Sequence, residues 1–122
     1  MAGFVALAPK PALIQVLLAQ ALNAQNNPKS AEEAVTLLRT ALAQEPESAD
    51  GFAQLAVAYG RKGDLAQADL ASATSAFMRG DGPTARQLAA RAKTRFPIGS
   101  PGWVKADDIV ATARPNQGAA RP

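Results

Sequence analysis

Two pairs of adjacent carboxylates, Glu32-Glu33 and Asp107-Asp108, are the residues whose types and spacing come closest to catalytic or metal-binding chemistry. Neighbouring carboxylates can serve as general acid and base, or they can hold a hard cation. Both pairs fall in the first turns of predicted helices, where the helix dipole stabilises negative charge without any ligand. A structural role therefore explains both pairs, and neither predicts a catalytic site.

The other polar residues supply no further catalytic group. The chain contains no cysteine and no histidine, which excludes thiol catalysis, disulfides, His-assisted nucleophiles and the usual zinc sites. Gly80-Asp81-Gly82 is rich in glycine, but no strand precedes it and no lysine follows, so it predicts a turn and not a phosphate-binding loop. We therefore expect no catalytic, cofactor-binding or metal-binding residue in this chain, and no enzymatic activity of its own.

The composition predicts one small all-α domain. Of the 122 residues, 48% are apolar, with alanine dominant, and only 5% are aromatic. A chain of this length supports a single core. Alanine has the best helix propensity and lets helices approach closely, whereas the strand formers Val and Ile are scarce. No segment approaches the roughly 20 apolar residues of a membrane span, so we expect no helix that crosses a bilayer.

The chain is mildly basic, with a formal charge of +3 and a pI near 9.7. Its basic residues cluster in the C-terminal third of the sequence, at Arg86, Arg91, Lys93 and Arg95. Their spacing is typical of the solvated face of an amphipathic helix, and no aromatic residues are interleaved among them for base stacking. We therefore expect no nucleic-acid partner.

A turn signal that occurs twice indicates how the helices are arranged. Gly63-Asp64 ends one apolar segment and Gly80-Asp81 ends the next, half of a roughly 34-residue helical repeat later. The residues around these turns match the tetratricopeptide pattern. The matching positions are Phe52, Leu55, Ala56, Tyr59, Gly63, Ala68, Ala85, Ala89, Ala92, Phe96 and Pro97. The sequence therefore predicts an all-α, tetratricopeptide-like helical-hairpin solenoid of about six helices with no sheet.

Proline positions predict the limits of this repeat domain. Pro9 occupies the closing position of a repeat, as Pro46 and Pro97 do later, so residues 1–8 are expected to be the end of a truncated repeat helix. Residues 9–113 form the predicted repeat domain. Residues 114–122, rich in Pro, Asn, Gln, Gly and Ala, predict a disordered tail.

Apolar spacing predicts the buried face of the first helix. Ile14, Leu17, Leu18, Ala21 and Leu22 lie at i, i+3, i+4, i+7 and i+8, on one helical face. Polar side chains that cap helix starts are predicted at Ser30, Ser48, Asp64, Asp81 and Ser100.

Two further expectations concern the later helices. The fourth, beginning at Leu65, carries mostly small side chains, so neighbours are expected to contact it on more than one side. Trp103, the only tryptophan, is expected to close the end of the solenoid by covering Leu88, Ala92 and Phe96.

The first helix of each hairpin is expected to line a concave groove for an extended peptide or a helix. The predicted groove residues are Val16, Gln20, Asn23, Asp50, Ala53, Val57 and Arg61. Repeats that grip chaperone C-terminal carboxylates place lysines and asparagines at such positions. This sequence has Val16, Gln20, Ala53 and Val57 there instead, so we expect no carboxylate clamp.

Three segments resemble a particular family. They are Tyr59-Gly-Arg-Lys-Gly-Asp-Leu65, Ala85-Arg-Gln-Leu-Ala-Ala-Arg-Ala-Lys93 and Phe96-Pro-Ile-Gly-Ser-Pro-Gly-Trp-Val-Lys-Ala-Asp-Asp-Ile109. Together they resemble the C-terminal tetratricopeptide region of bacterial M48-type, Ste24-like periplasmic zinc metalloproteases. The resemblance covers roughly residues 9–113, and its Gly-Ser-Pro-Gly-Trp stretch is the most specific part.

The resemblance implies a polypeptide-binding domain that recruits or positions substrate for such a protease. Zinc would then be bound only by a catalytic domain upstream, since that family holds it with a His-Glu-x-x-His helix and this chain has no histidine. It also implies a periplasmic location, with an unassembled outer-membrane protein or the parent's own protease domain as partner. The alternative is a stand-alone adaptor or scaffold with no attached enzyme.

Overall fold

The computed structural model describes residues 11–113, and the predictions for residues 1–8 and 114–122 lie outside this range. The described chain forms six α-helices and no strand, which confirms the all-α prediction. Each helix packs against the next, as stacked helical hairpins require. The helices are α1 (Pro11–Ala24), α2 (Pro28–Gln44), α3 (Ala49–Lys62), α4 (Leu65–Met78), α5 (Gly82–Arg95) and α6 (Pro101–Thr112).

Short polar side chains begin five of these helices. Ser48, Asp64, Asp81 and Ser100 each accept a hydrogen bond from a backbone N–H in the first turn, as predicted. The prediction of Ser30 as a cap is wrong. Asn27 caps α2 instead, and its Oδ1 accepts a hydrogen bond from the backbone N–H of Ser30 at 2.8 Å. Proline is favoured at the first helical position, so the helix begins at Pro28, before Ser30.

The stacking of alternate helices changes at α4. In the first half α1 packs against α3, and in the second half α4 packs against α6. Among the described helices, the Cα atoms of α2 and α4 nowhere approach within 8 Å, and neither do those of α3 and α5. The fourth helix thus contacts α3, α5 and α6, which confirms that it is packed on more than one side. Two clefts follow, one between α3 and α5 and the other between α2 and α4.

The core consists largely of alanine. One cluster joins α1 to α4 and a second joins α4, α5 and α6. Leu38 is the only large side chain of residues 11–113 that is fully buried. Small residues let helix backbones approach closely, so the helices meet mainly through methyl groups and leave the bulkier side chains at their edges.

The predicted inner face of α1 is wrong. Ile14, Leu17 and Leu18 are 42%, 55% and 51% exposed, while the buried side chains are the smaller ones of the opposite face. That buried face comprises Ala12, Val16, Ala19 and Asn23. Both faces carry apolar residues at helical spacing, so periodicity alone could not separate them. The close contact with the alanines of α2 selects the face with the smaller side chains.

Trp103 is not packed against the cluster of Leu88 and Ala92 as predicted, although it lines a shallow hollow with Phe96. Its side chain is only half-buried, and the Lys93 ammonium lies 4.8 Å from the centroid of its ring, within the range of a cation–π contact. Gly102 and Ala106 face the Phe96 end of α5 instead. Gly102 and Ala106 are the buried residues of α6, whereas the indole ring of Trp103 is only partly covered.

Several cations of α5 make contacts within the fold, while Arg91 and Arg95 stay exposed to solvent as predicted. Arg91 makes a forked pair of hydrogen bonds to the buried carboxylate of Asp69, at 2.8 and 3.0 Å, and Arg95 approaches the same group at 3.0 Å. Asp69 raises the pKa of the Arg91 guanidinium by its hydrogen bond and then by its charge. Arg86 donates to the carbonyl oxygen of Val110 at 2.9 Å. These contacts hold α5 to α4 and α6.

The contact between α5 and α6 predicts the effect of adding one methyl group. A Cβ atom at Gly102 would overlap the ring of Phe96, so Gly102→Ala should lower the free energy of unfolding by about 1–3 kcal/mol. Gly60→Ala is the matched control, because its Cβ would meet nothing within 4 Å. As an exposed helical position it should gain up to about 1 kcal/mol.

Urea unfolding followed by far-UV circular dichroism measures both variants. A Gly102→Ala protein as stable as Gly60→Ala would contradict the close packing of α6 on Phe96.

Candidate functional site

The largest part of the predicted groove lies between α1 and α3, over a cavity of about 380 Å³. Val16 and Gln20 line it from α1, and Asp50 and Ala53 line it from α3, so these predicted residues do come together. The full lining is Ala12, Leu13, Val16, Leu17, Gln20, Ala41, Glu45, Ser48, Asp50, Ala53 and Gln54. Most of its surface is apolar.

A separate hollow lies farther along α3, beside the loop between α1 and α2. Val57 and Arg61 line this second, shallower hollow with Asn26 and Pro28. Val57 is 39% exposed, and Nη1 of Arg61 donates a hydrogen bond to Oδ1 of Asn26. The last two predicted groove residues therefore lie at the far end of the same helix face, and Arg61 is already engaged with the loop.

Asn23 is not a groove surface residue, and this part of the prediction is wrong. It is 3% exposed, and its Nδ2 donates to both the backbone oxygen and Oε1 of Gln54, at 3.0 and 2.9 Å. The side chain therefore holds α1 to α3 beneath the groove. Helical spacing placed Asn23 one turn beyond Gln20, on the expected groove surface. Asn23 lies where α1 meets α3, however, and α3 covers it.

Two leucines that sequence reasoning did not assign to the groove form much of its apolar wall. Leu13 and Leu17 are 54% and 55% exposed and line the cavity beside Val16. Leu17 was predicted to face the core. The sequence did contain a signal for them, because α1 has two apolar faces. The face with Ala12, Val16 and Ala19 has the smaller side chains that allow close packing, which leaves the leucine face for solvent or a ligand.

The electrostatics of the groove are weak. Asp50 is paired with Arg79 at 2.7 Å, with both side chains largely exposed, and such surface pairs contribute at most about 1 kcal/mol. The described lining includes Glu45 and Asp50 but no Lys or Arg. An occupant of this groove would therefore be held mainly by contacts with apolar side chains.

The two acidic pairs lie on different helices, α2 and α6. Asp107 pairs with Lys93 at 2.8 Å, while Glu32 and Glu33 are exposed on α2. Their placement in first helical turns is wrong, because neither α2 nor α6 has an acidic residue there. Within residues 11–113, no three His, Cys, Asp or Glu side chains gather where a metal ion could bind.

In the part of the chain that the structure describes, no helix has the length and apolar character needed to cross a membrane. The chain matches no family model, no curated protein and no solved structure. The similarity to M48-type proteases thus stays a prediction based on the quoted residues.

The position of Asn23 predicts a structural effect and not a binding effect. Asn23→Ala should lower the free energy of unfolding by about 1–2 kcal/mol, because it removes two hydrogen bonds and leaves a partly buried amide oxygen of Gln54 without its donor. Gln20→Ala, one turn earlier and exposed, should change stability by less than about 0.5 kcal/mol. Chemical denaturation measures both, and equal losses would contradict the structural role of Asn23.

Proposed function

We propose that this domain binds short polypeptide segments in the groove between α1 and α3. The observation that carries the proposal is the cavity of about 380 Å³, whose α1 wall is formed by Leu13 and Leu17, both more than half exposed. Exposed leucines beside a concave, largely apolar surface are typical of a binding site for apolar side chains.

The shape of the surface favours a chain over a compact ligand. Asp50 and Arg61 stand at the two ends of the lined face of α3, about 16 Å apart at the usual helical rise. About five residues of extended chain span that distance. Gln20, Gln54 and Ser48 lie along the cavity and can exchange hydrogen bonds with peptide N–H and C=O groups.

Such a contact is small. Five residues bury far less than the roughly 1,200 Å² of a stable protein–protein interface. Binding should therefore be weak and tolerant of sequence, with affinity set by how many apolar side chains enter the cavity. These are properties suited to transient holding of unfolded or unassembled polypeptide.

We also propose a setting for this activity, the recruitment or positioning of substrate for an M48-type zinc metalloprotease. This proposal rests on the resemblance of the three segments quoted above, with the Gly-Ser-Pro-Gly-Trp stretch as its most specific part. Zinc would be bound outside this chain, the location would be periplasmic, and unassembled outer-membrane proteins or the parent's own protease domain would be the partners. The stand-alone adaptor is the alternative.

The coding sequence upstream of Met1 separates these two settings. A His-Glu-x-x-His motif there supports the protease, since that helix carries the zinc ligands. A start codon followed by further repeats supports the adaptor. Either result leaves the groove itself to be tested by binding.

Binding at the groove predicts different effects for two neighbouring leucines. A short synthetic peptide of alternating Leu and Ser should shift the backbone amide resonances of Gln20, Ala53 and Val57. Leu17→Gln should weaken its binding about fivefold, as the loss of roughly 1 kcal/mol of apolar contact implies. Leu18→Gln is the matched control, since Leu18 is 51% exposed on the same helix but does not line the cavity.

NMR titration of the two variants and the parent protein measures this difference. Equal weakening by both substitutions, or shifts confined to residues outside the α1–α3 groove, would reject the groove as the binding site.

A further inference from the structure

A second cleft lies on the side of α3 that faces away from the groove. The change of stacking at α4 keeps α2 and α4 apart, and the resulting space has a volume of about 630 Å³. Phe52, Leu55 and Tyr59 of α3 point into it, whereas the groove is lined by Asp50, Ala53 and Gln54. At 100° per residue these two sets occupy opposite faces of one helix.

The interior of this α2–α4 cleft is apolar and aromatic. Phe52, Leu42 and Ile109 are half-buried, and Leu55 and Tyr59 are buried. The full lining is Arg39, Leu42, Ala43, Phe52, Leu55, Tyr59, Gln67, Leu70, Ala71, Thr74, Lys105, Asp108 and Ile109. A surface of this kind accepts aliphatic side chains.

The rim of the α2–α4 cleft carries an excess of positive charge. Arg39 of α2 and Lys105 of α6 are exposed, and neither pairs with a carboxylate anywhere in the described chain. Lys62 adds a third cation, 6.0 Å from the centroid of the Tyr59 ring. Asp108 is the one acidic residue of the described lining. By contrast, the lining of the α1–α3 groove holds acidic side chains and no cation.

We propose that the α2–α4 cleft binds an acidic amphipathic segment of a partner polypeptide. Aliphatic side chains of one face enter between α2 and α4, over Phe52 and Leu55. Carboxylates that flank them lie against Arg39 and Lys105, on opposite walls. This site goes beyond the groove function because it lies on the opposite face of α3 and its lining carries cations, which the described lining of the groove lacks.

A nucleic acid is the other polyanion that such a rim could attract, but the cleft fits it poorly. Binding of single strands relies on exposed aromatic faces for base stacking. Tyr59 is 6% exposed, and only part of Phe52 is accessible. An apolar interior with few flanking cations fits carboxylates next to leucines better than a chain of phosphates.

Two synthetic peptides test the proposal, one with Leu on one helical face and Glu on the other, and the same peptide with Lys in place of Glu. The acidic peptide should bind and shift the amide resonances of Gln67, Thr74 and Lys105, while the basic peptide should bind at least about tenfold more weakly. Binding should weaken as salt is added, because rim charges are screened. Oligothymidylate is the third probe and should not compete.

Charge reversal on the rim supplies the matched variants. Arg39→Glu and Lys105→Glu should each weaken binding of the acidic peptide roughly three- to tenfold. Lys29→Glu makes the same charge change at an exposed position of α2 outside the cleft and should leave binding unchanged. Leu17→Gln should also leave it unchanged, so failure of the groove proposal and failure of this one are distinguishable.

Several results would overturn the proposal. These are no binding of the acidic peptide, equal binding of the basic one, or an effect of Lys29→Glu as large as that of Arg39→Glu. Amide shifts confined to Gln20 and Ala53 would place the peptide in the groove instead. Displacement of the peptide by oligothymidylate would favour a nucleic-acid partner.

Discussion

The close packing of alanine faces is the constraint on which the rest of this structure depends. Ala31, Ala34, Ala58, Ala89 and Ala106 have no exposed surface, and each lies where two helices meet. Methyl groups at these positions let the backbones approach, but they bury little apolar area per residue. Few larger side chains are then buried between the helices, and Leu38 is the one large side chain of residues 11–113 that is fully buried. Most of the others lie at the edges of the contacts, where they form the walls of the groove and of the opposite cleft.

The small side chains of α4 let this helix pack against α3, α5 and α6. Ser75 is buried and donates from its hydroxyl to the carbonyl oxygen of Ala49 at 2.9 Å, which fixes the start of α3 against α4. On another side α4 receives α6 through Leu70, Ala73 and Ala106. Because α6 packs on α4 whereas α1 packs on α3, one cleft is left between α2 and α4 and another between α3 and α5. A regular repeat would stack the same helix row throughout and leave one concave face.

Local chemistry made the helices predictable, whereas contact between helices decided most of the errors. The helix caps were predictable because each one accepts a hydrogen bond from a backbone N–H only three residues farther along the chain. These caps are Ser48, Asp64, Asp81 and Ser100. The helix α1 has two apolar faces, and only its contact with α2 determines which of them is buried. Trp103 illustrates the same limit. Its size predicted burial, but the residues of α6 that are buried against its neighbours are Gly102 and Ala106.

The candidate groove was predictable to the extent that it follows helix geometry. Positions one turn apart on α3 do share a face, so Asp50, Ala53 and Val57 lie along it as expected. Asn23 could not be placed in the same way, because its amide finds Gln54, a partner distant in sequence. No spacing within α1 carries information about that bond.

The two proposed surfaces share α3, and this helix is held from several sides. The Asn23 amide holds it to α1, the Ser75 hydroxyl holds it to α4, and Leu42 of α2 lies against Gly51, where an added Cβ would come within 2.9 Å of the leucine Cδ2. A rotation of α3 that enlarged one surface at the expense of the other would break these partly buried hydrogen bonds. The groove and the cleft therefore lie on two faces of a helix held at three contacts, and their occupants should bind independently.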